Sequence, residues 1–352
     1  MIGVGVIGAG KIGLEHLAAF AAASGARLVA VSDTSVAAAR AAAEEFGILS
    51  VDSDPEALIA QPEVEAVVVA VPNRFHEPLA LSALRAGKHL LLEKPMALDL
   101  AGARAIYSAA VGSGKVVMLG HQWRRVWWME AMRERVAAGQ LGDIYHAKCR
   151  WMRRKGIPGW GTWFTRKDES GGGPLVDIAV HLLDLAFELL GNPRPQFVTG
   201  ATFAAFGPKQ KGVGAWGEPD WRGYCDVEDL ATALIRCEGG QLVSLDVSWA
   251  AHTDGNAVVL EILGDDAGLV YRGGELKLLT ERDGELVDQV IEAPAAAADE
   301  KDPGRAAMTA EFLHCIEAGQ TPLASAESGL NNMRLLDAIY RSAQCGREVP
   351  VE

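Results

Sequence analysis

The cysteines of this 352-residue chain offer nothing to a metal or a disulfide framework. Cys149, Cys225, Cys237, Cys315 and Cys345 are scattered, with no Cys-x-x-Cys pair and an odd total. That pattern excludes a zinc ribbon or a disulfide scaffold, so no metal is expected and a reduced, cytoplasmic setting is. Basic charge is also short. A net charge of -13 argues against a nucleic-acid footprint and against an anionic membrane surface. No apolar run approaches the roughly 20 residues needed to cross a bilayer. No basic stretch with a cleavage site precedes the first strand, so no signal peptide is expected. No internal repeat is visible. What remains is an ordinary globular composition, 49% hydrophobic and 22% charged, in a chain long enough for two domains.

Ile2, Val4, Val6 and Ile7 read as a short strand, broken by Gly8-Ala-Gly10-Lys11-Ile12-Gly13. Ile12, His16 and Phe20 follow at helical spacing. A Gly-x-Gly-x-x-Gly run between a strand and a helix is a dinucleotide-binding fingerprint. Gly8 permits the tight turn, Gly10 lets the backbone approach a pyrophosphate, and Gly13 lets helix and strand pack closely. The helix start presents N–H groups and a positive dipole end to phosphate. A second strand, Arg27–Ser32, ends at Asp33, 20 residues after Gly13. Its carboxylate, with Thr34 beside it, suits ribose hydroxyls and repels a 2′-phosphate, so NAD is expected over NADP. The alternation continues through a helix at 35–46, strands near 49–51 and 66–71, and helices opening at Asp54-Pro55 and near Leu79. Strands at 89–92 and 116–119 and a helix at 98–111 complete a two-halved Rossmann sheet of six strands. Val71, Pro72, Asn73 and His76, after the fourth strand, should border the nicotinamide. A plain helix-start histidine is the alternative for His76.

His89-Leu-Leu-Leu-Glu93-Lys94-Pro95 is the centre of this domain. Three leucines make a strand buried on both faces. Ligands of open α/β sheets bind at the strands' C-terminal ends, which puts Lys94 over the crevice. The competing reading is a solvated lysine at an ordinary strand end.

After residue 122 the pattern changes, and residues 123–352 are expected to form a second domain. A helix at 129–138 precedes strands at 144–152, 197–203, 229–237, 241–249, 258–263, 276–280 and 286–291. Glu238-Gly239-Gly240 marks a hairpin. A helix at 176–190 interrupts the strands, and a helical tail covers 308–344. Ala293–Ala298 reads as a flexible connection. The fold class is therefore α/β: an N-terminal Rossmann dinucleotide-binding domain plus a C-terminal α+β domain with a large, mostly antiparallel open sheet. One face of that sheet would carry the helices, and the other would form a homodimer or homotetramer surface.

The chemistry of this second domain concentrates in Ser170-Gly-Gly-Gly-Pro-Leu-Val-Asp177-Ile-Ala-Val-His181-Leu-Leu-Asp184. The glycines would let backbone approach a ligand. Asp177 and His181 are four apart and share a helix face. Asp184 is either on that face or a solvated polar residue. A carboxylate and an imidazole beside a lysine suit proton removal from an alcohol during hydride transfer. Zinc-dependent alcohol chemistry lacks its ligands.

The combination of Gly8-x-Gly10-x-x-Gly13, Glu93-Lys94-Pro95 and Asp177-x-x-x-His181 resembles the Gfo/Idh/MocA family of oxidoreductases. Val227-Glu228-Asp229, Glu311-Phe312 and Leu335-Leu336-Asp337-Ala338 extend the resemblance along the chain. It implies that Lys94 bridges cofactor and substrate, that His181 is the acid/base, and that Asp177 binds the substrate hydroxyl. It also implies a possible cis peptide before Pro95, and sugars, cyclitols or their derivatives as substrates. Arg124, Arg153, Trp160 and Trp163 are expected around that substrate, because aromatic faces pack on the C–H faces of sugar rings. Gln122 and Trp163 are further expected beside the nicotinamide, together with Lys11, Ile12 and Glu93 on the cofactor side. Two other readings stay open: an NAD-using glycosidase that oxidises its substrate transiently, and a cofactor-binding regulator without catalysis.

Overall fold

The computed structural model describes residues 1–295 and 304–352. Over these residues the chain divides into two compact units, one from Met1–Arg125 and Glu300–Met333, the other from Val126–Asp299 and Arg334–Glu352.

The first unit alternates strand and helix: β1 (Ile2–Ile7), α1 (Lys11–Ala22), β2 (Ala26–Ser32), α2 (Val36–Phe46), β3 (Ser50–Asp52) and α3 (Pro55–Ile59). It continues with β4 (Ala66–Val69), α4 (His76–Arg85), β5 (His89–Leu92), α5 (Leu100–Ser113) and β6 (Val117–Leu119). The strands lie in the order β3-β2-β1-β4-β5-β6, each pair parallel, which is the doubly wound Rossmann order. Every residue of β1 and β4 is buried, as helices on both faces require. Local chemistry sets the helix ends. Ser35 Oγ accepts from the Ala38 N–H and Asp54 Oδ1 from the Glu56 N–H, ahead of Pro55 at the first helical position. Asp99 Oδ1 caps α5 in the same way, through the Gly102 N–H.

The second unit opens with α6 (Trp127–Ala137), β7 (Ile144–Met152), α7 (Lys167–Ser170) and α8 (Val180–Leu189). Then come β8 (Pro195–Phe203), β9 (Leu230–Cys237), β10 (Leu242–Ser248), β11 (Ala257–Gly264), β12 (Ala267–Arg272), β13 (Glu275–Arg282) and β14 (Glu285–Ile291). α9 (Arg305–Ala318) belongs to the first unit, α10 (Ala326–Cys345) continues from the first into the second, and β15 (Val349–Pro350) ends the chain's strands. The sheet order is β14-β13-β12-β11-β7-β10-β9-β8-β15. Only the β7–β10 pair is parallel among these described strands. The expected hairpin between β9 and β10 is present. α8 packs on β7 and β11. Trp128 of α6 stacks on Tyr271 of β12 at 4.0 Å, and Arg133 Nε meets Glu188 Oε1 at 2.6 Å to join α6 to α8.

β12, the two-residue β15 and a break in the helical tail depart from the expected elements. β12, with Gly268 inside it and Gly264-Asp265-Asp266 before it, carries turn chemistry that hides a strand. The helical tail is two helices, because Gly319 at φ +64° closes α9. The expected connection at 293–298 falls partly outside the described residues. Among the described residues, no helix is long and apolar enough to cross a membrane.

Candidate active site

The dinucleotide loop has one open position. Gly8 sits at φ +104°, and a Cβ there would lie 2.1 Å from the Ala70 carbonyl. A Cβ on Gly13 would lie 1.9 Å from the Gly8 carbonyl. The protein itself fills both places. Only Gly10 of the three faces open space, with nothing within 4 Å of its missing Cβ. That is where a pyrophosphate must approach, directly ahead of Lys11 and Ile12 at the start of α1. Asp33 is fixed to the same loop: Oδ2 accepts from the Ala9 N–H at 2.8 Å and Oδ1 from the Ser35 N–H at 2.7 Å. Thr34 beside it is exposed. The residues fit a dinucleotide.

At the end of β5 the Lys94–Pro95 peptide is cis, and Lys94 is half-buried. Glu93 is locked beneath it. His16 Nε2 lies 2.8 Å from Glu93 Oε1, and Arg305 Nη1 donates to the same oxygen at 3.2 Å. Its other oxygen accepts from the Lys94 N–H at 3.2 Å, and Gly120 leaves room for the carboxylate. Burial works to raise the Glu93 pKa, but the His16 hydrogen bond and the Arg305 charge outweigh it and hold the carboxyl well below the usual range. Its stabilising contribution is therefore complete above the unfolded value near 4.3 and is lost as the pH falls below that. Arg305→Ala should lower stability at pH 7 by about 3–5 kcal/mol, since it uncovers a buried charge. Urea unfolding at pH 7 and pH 3 should find a smaller penalty at the lower pH.

His76, the first residue of α4, is fully buried. Nδ1 lies 2.7 Å from the Pro95 carbonyl and Nε2 2.9 Å from the Val71 carbonyl, so the ring braces the loop after β4 against the loop after β5. Burial lowers its pKa, while the two carbonyls pull the other way. Pro72 is half-buried and Asn73 buried in the same loop. Gln122 is half-buried, and Arg124 is buried with Nη1 donating to the Leu323 carbonyl at 2.6 Å.

In the second unit, Leu175–Ala179 form a π turn that runs into α8. Such turns cluster at functional sites. Asp177 lies within it and His181 in the first turn of α8, where the imidazole is 6% exposed. Trp249, which the sequence marks only as the end of a strand, donates its indole N–H to Asp177 Oδ2 at 3.0 Å. Trp151 lies 6.3 Å from the His181 ring, and the Arg153 guanidinium 5.1 Å from the Trp151 ring. Burial draws the Arg153 pKa down and the Asp177 charge draws it back up. Asp184 is buried, which removes the solvated reading.

The three glycines before this helix serve the protein. Gly171 closes α7 at φ +83°. A Cβ on Gly172 would lie 1.8 Å from the Tyr340 hydroxyl, and one on Gly173 2.0 Å from the Glu228 carbonyl. Their close approach is to these groups, which corrects the expectation of a ligand there. Of the expected aromatic residues, Trp160 is buried with its indole donating to the Gly207 carbonyl at 2.8 Å. Trp163 is half-buried and stacks on Phe164 at 3.8 Å, which meets Trp216 edge-on at 4.6 Å. Lys94 thus belongs to the first unit, and Asp177, His181, Arg153, Trp160 and Trp163 to the second.

Comparison with known proteins adds to this geometry. Residues 2–121 match the model of an oxidoreductase family with an NAD-binding Rossmann fold, and residues 129–270 match the GFO/IDH/MocA C-terminal domain. The chain is 34% identical over 349 residues to a D-glucoside 3-dehydrogenase of Escherichia coli, covering 98% of this chain and 96% of that protein. It is 28% identical over 291 residues to a levoglucosan dehydrogenase of Pseudarthrobacter phenanthrenivorans, covering 77% and 73%. Among solved structures, an oxidoreductase domain protein from Kribbella flavida superposes with a TM-score of 0.88 at 26% identity, covering 100% of this chain and 99% of that one. A levoglucosan dehydrogenase in complex with NADH and levoglucosan does so at 0.88 and 25%, covering 99% of each.

Proposed function

Since the chain belongs to the Gfo/Idh/MocA family of NAD-binding oxidoreductases, we propose that it oxidises a ring hydroxyl of a sugar, cyclitol or glycoside with NAD. The observation that carries this reading is the Asp177 carboxylate, oriented by the Trp249 indole N–H at 3.0 Å and followed four residues later by His181. A carboxylate so held accepts a hydrogen bond from a substrate hydroxyl next to the reacting one, while the neutral His181 imidazole takes the proton of the reacting hydroxyl as the C–O bond gains carbonyl character. NAD, when bound, would supply the hydride acceptor. The Lys94 ammonium then stabilises negative charge developing on the substrate oxygen. Trp163 offers a face to the C–H side of the ring, while Arg153 donates to hydroxyls; Trp160, buried with Trp221 stacked on it at 5.5 Å, supports the aromatic wall from within. The relatives that act on a glucoside and on levoglucosan support a pyranose ring as substrate. The open face of the nine-stranded sheet is proposed as a homo-oligomer surface, and the five unpaired cysteines suit a cytoplasmic setting.

The test is NADH formation across a panel of free sugars, cyclitols and glycosides. Net NADH with at least one ring polyol is expected. Release of free sugar from glycosides without net NADH would replace the dehydrogenase reading with the glycosidase. Cofactor choice follows Asp33: NAD should be favoured over NADP in kcat/KM, and Asp33→Ala should narrow the margin. Equal kinetics with both cofactors in the unaltered protein would overturn that assignment.

A further inference from the structure

Val227-Glu228-Asp229 lead into β9, and the two acidic side chains hold different segments of the second unit. Glu228, 8% exposed, uses a single oxygen three times. Oε1 accepts from the Gly173 N–H at 3.0 Å, the Leu175 N–H at 3.1 Å and the Tyr340 hydroxyl at 2.9 Å. The Glu228 carbonyl also packs against Gly173, so side chain and backbone together fix the start of the turn that carries Asp177. Asp229, 1% exposed, faces another loop. Its Oδ2 accepts from the Phe206 N–H at 2.6 Å and the Gly207 N–H at 2.9 Å. Gly207 in turn accepts the Trp160 indole N–H at 2.8 Å. Burying two carboxylates is costly unless each is well hydrogen-bonded; here the N–H donors to Glu228 lie at the start of the turn that bears Asp177, and those to Asp229 on the loop whose Gly207 carbonyl holds Trp160.

We propose that Glu228 and Asp229 are two positioning residues with separate tasks, Glu228 orienting the Asp177–His181 pair and Asp229 orienting the aromatic wall at Trp160. The assignment rests on the ring-hydroxyl oxidation proposed above. It makes the two neighbouring residues separable in kinetics. Glu228→Ala frees the turn that bears the reacting groups, and a misplacement of about 1 Å costs on the order of 100-fold in rate. Asp229→Ala loosens a wall that binds the ring without taking part in proton transfer. One aromatic contact is worth about 0.5–1.5 kcal/mol, which converts to as much as roughly 10-fold in KM.

The experiment measures kcat and KM for both substrates in Glu228→Ala, Glu228→Gln, Asp229→Ala and Tyr340→Phe, using the sugar or glycoside that the unaltered protein turns over best. Glu228→Ala should lose kcat by far more than it raises the sugar KM, which loses only the Asp177 contact. Glu228→Gln, which keeps an acceptor oxygen for the two backbone N–H groups, should recover most of it. Asp229→Ala should raise the sugar KM with kcat nearly unchanged, and the NAD KM should stay constant throughout. If an alanine variant fails to fold, Tyr340→Phe removes one donor to Glu228 without opening a cavity, and a fall mainly in kcat is expected. Indole ¹H–¹⁵N spectra supply a readout without substrate: Glu228→Ala should shift the Trp249 signal, and Asp229→Ala the Trp160 signal. Equal changes in kcat and KM in both variants, lowered melting temperatures with unaltered kinetics, or unmoved indole signals would overturn the division of tasks. An unaltered protein that oxidises no panel compound would instead sink the proposed function, while the indole spectra still decide the positioning.

Discussion

His181→Ala should lose most of its turnover, about 100- to 10,000-fold, and with it the acid limb of the pH–rate profile for substrate oxidation. The imidazole must be neutral to take a proton, so the rate of the unaltered protein should fall toward acid pH. His181→Gln separates binding from chemistry. An amide still hydrogen-bonds a hydroxyl but accepts no proton, so the glutamine variant should retain substrate binding and lose turnover. The measurement is kcat/KM from pH 5 to 9, alongside substrate affinity by calorimetry with NADH present. Near-normal turnover with an intact acid limb in His181→Ala would mean that another group is the base. His76 is a poor substitute, because both its ring nitrogens already face backbone carbonyls. His121 would be tested next.

Lys94→Ala should fold, bind NAD and turn over at least about 100-fold more slowly. The side chain is half-buried at the end of β5, where the fold is secured by Glu93 and the three leucines. Its loss should therefore leave the melting temperature close to that of the unaltered protein. Stopped-flow traces with NAD in excess should locate the defect in the hydride-transfer step. Full activity would return Lys94 to an ordinary solvated strand end.

The cofactor half was legible in the sequence because each signal is local. Gly8, Gly10 and Gly13 act within one turn, Asp33 ends the next strand, and Asp54 caps the helix that follows it. The substrate half was legible only in its chemistry. Asp177 and His181 could be found by spacing, but their supports come from far along the chain: Trp249 lies 72 positions from Asp177, and Tyr340 112 from Glu228. No periodicity announces such partners. The π turn was equally hidden, since Leu175–Ala179 read as the opening of one continuous helix. The triple glycine signals close approach, and the neighbours it meets are protein groups. Tyr340 and Glu228 occupy the space that a ligand was expected to use. β12 escaped because a glycine and two aspartates imitate a turn.

The tie between Glu93 and Arg305 bears on the order in which the chain is made. The two residues are 212 positions apart, yet both belong to the Rossmann unit. A ribosome delivers all six strands of that unit long before Arg305 emerges. Until then the Glu93 carboxylate has His16 but no guanidinium. A nascent Rossmann sheet is thus charge-complete only when synthesis is nearly over, and a fragment ending at residue 122 could never become so. In such a fragment the strand end beneath Lys94 would remain a place for water to enter.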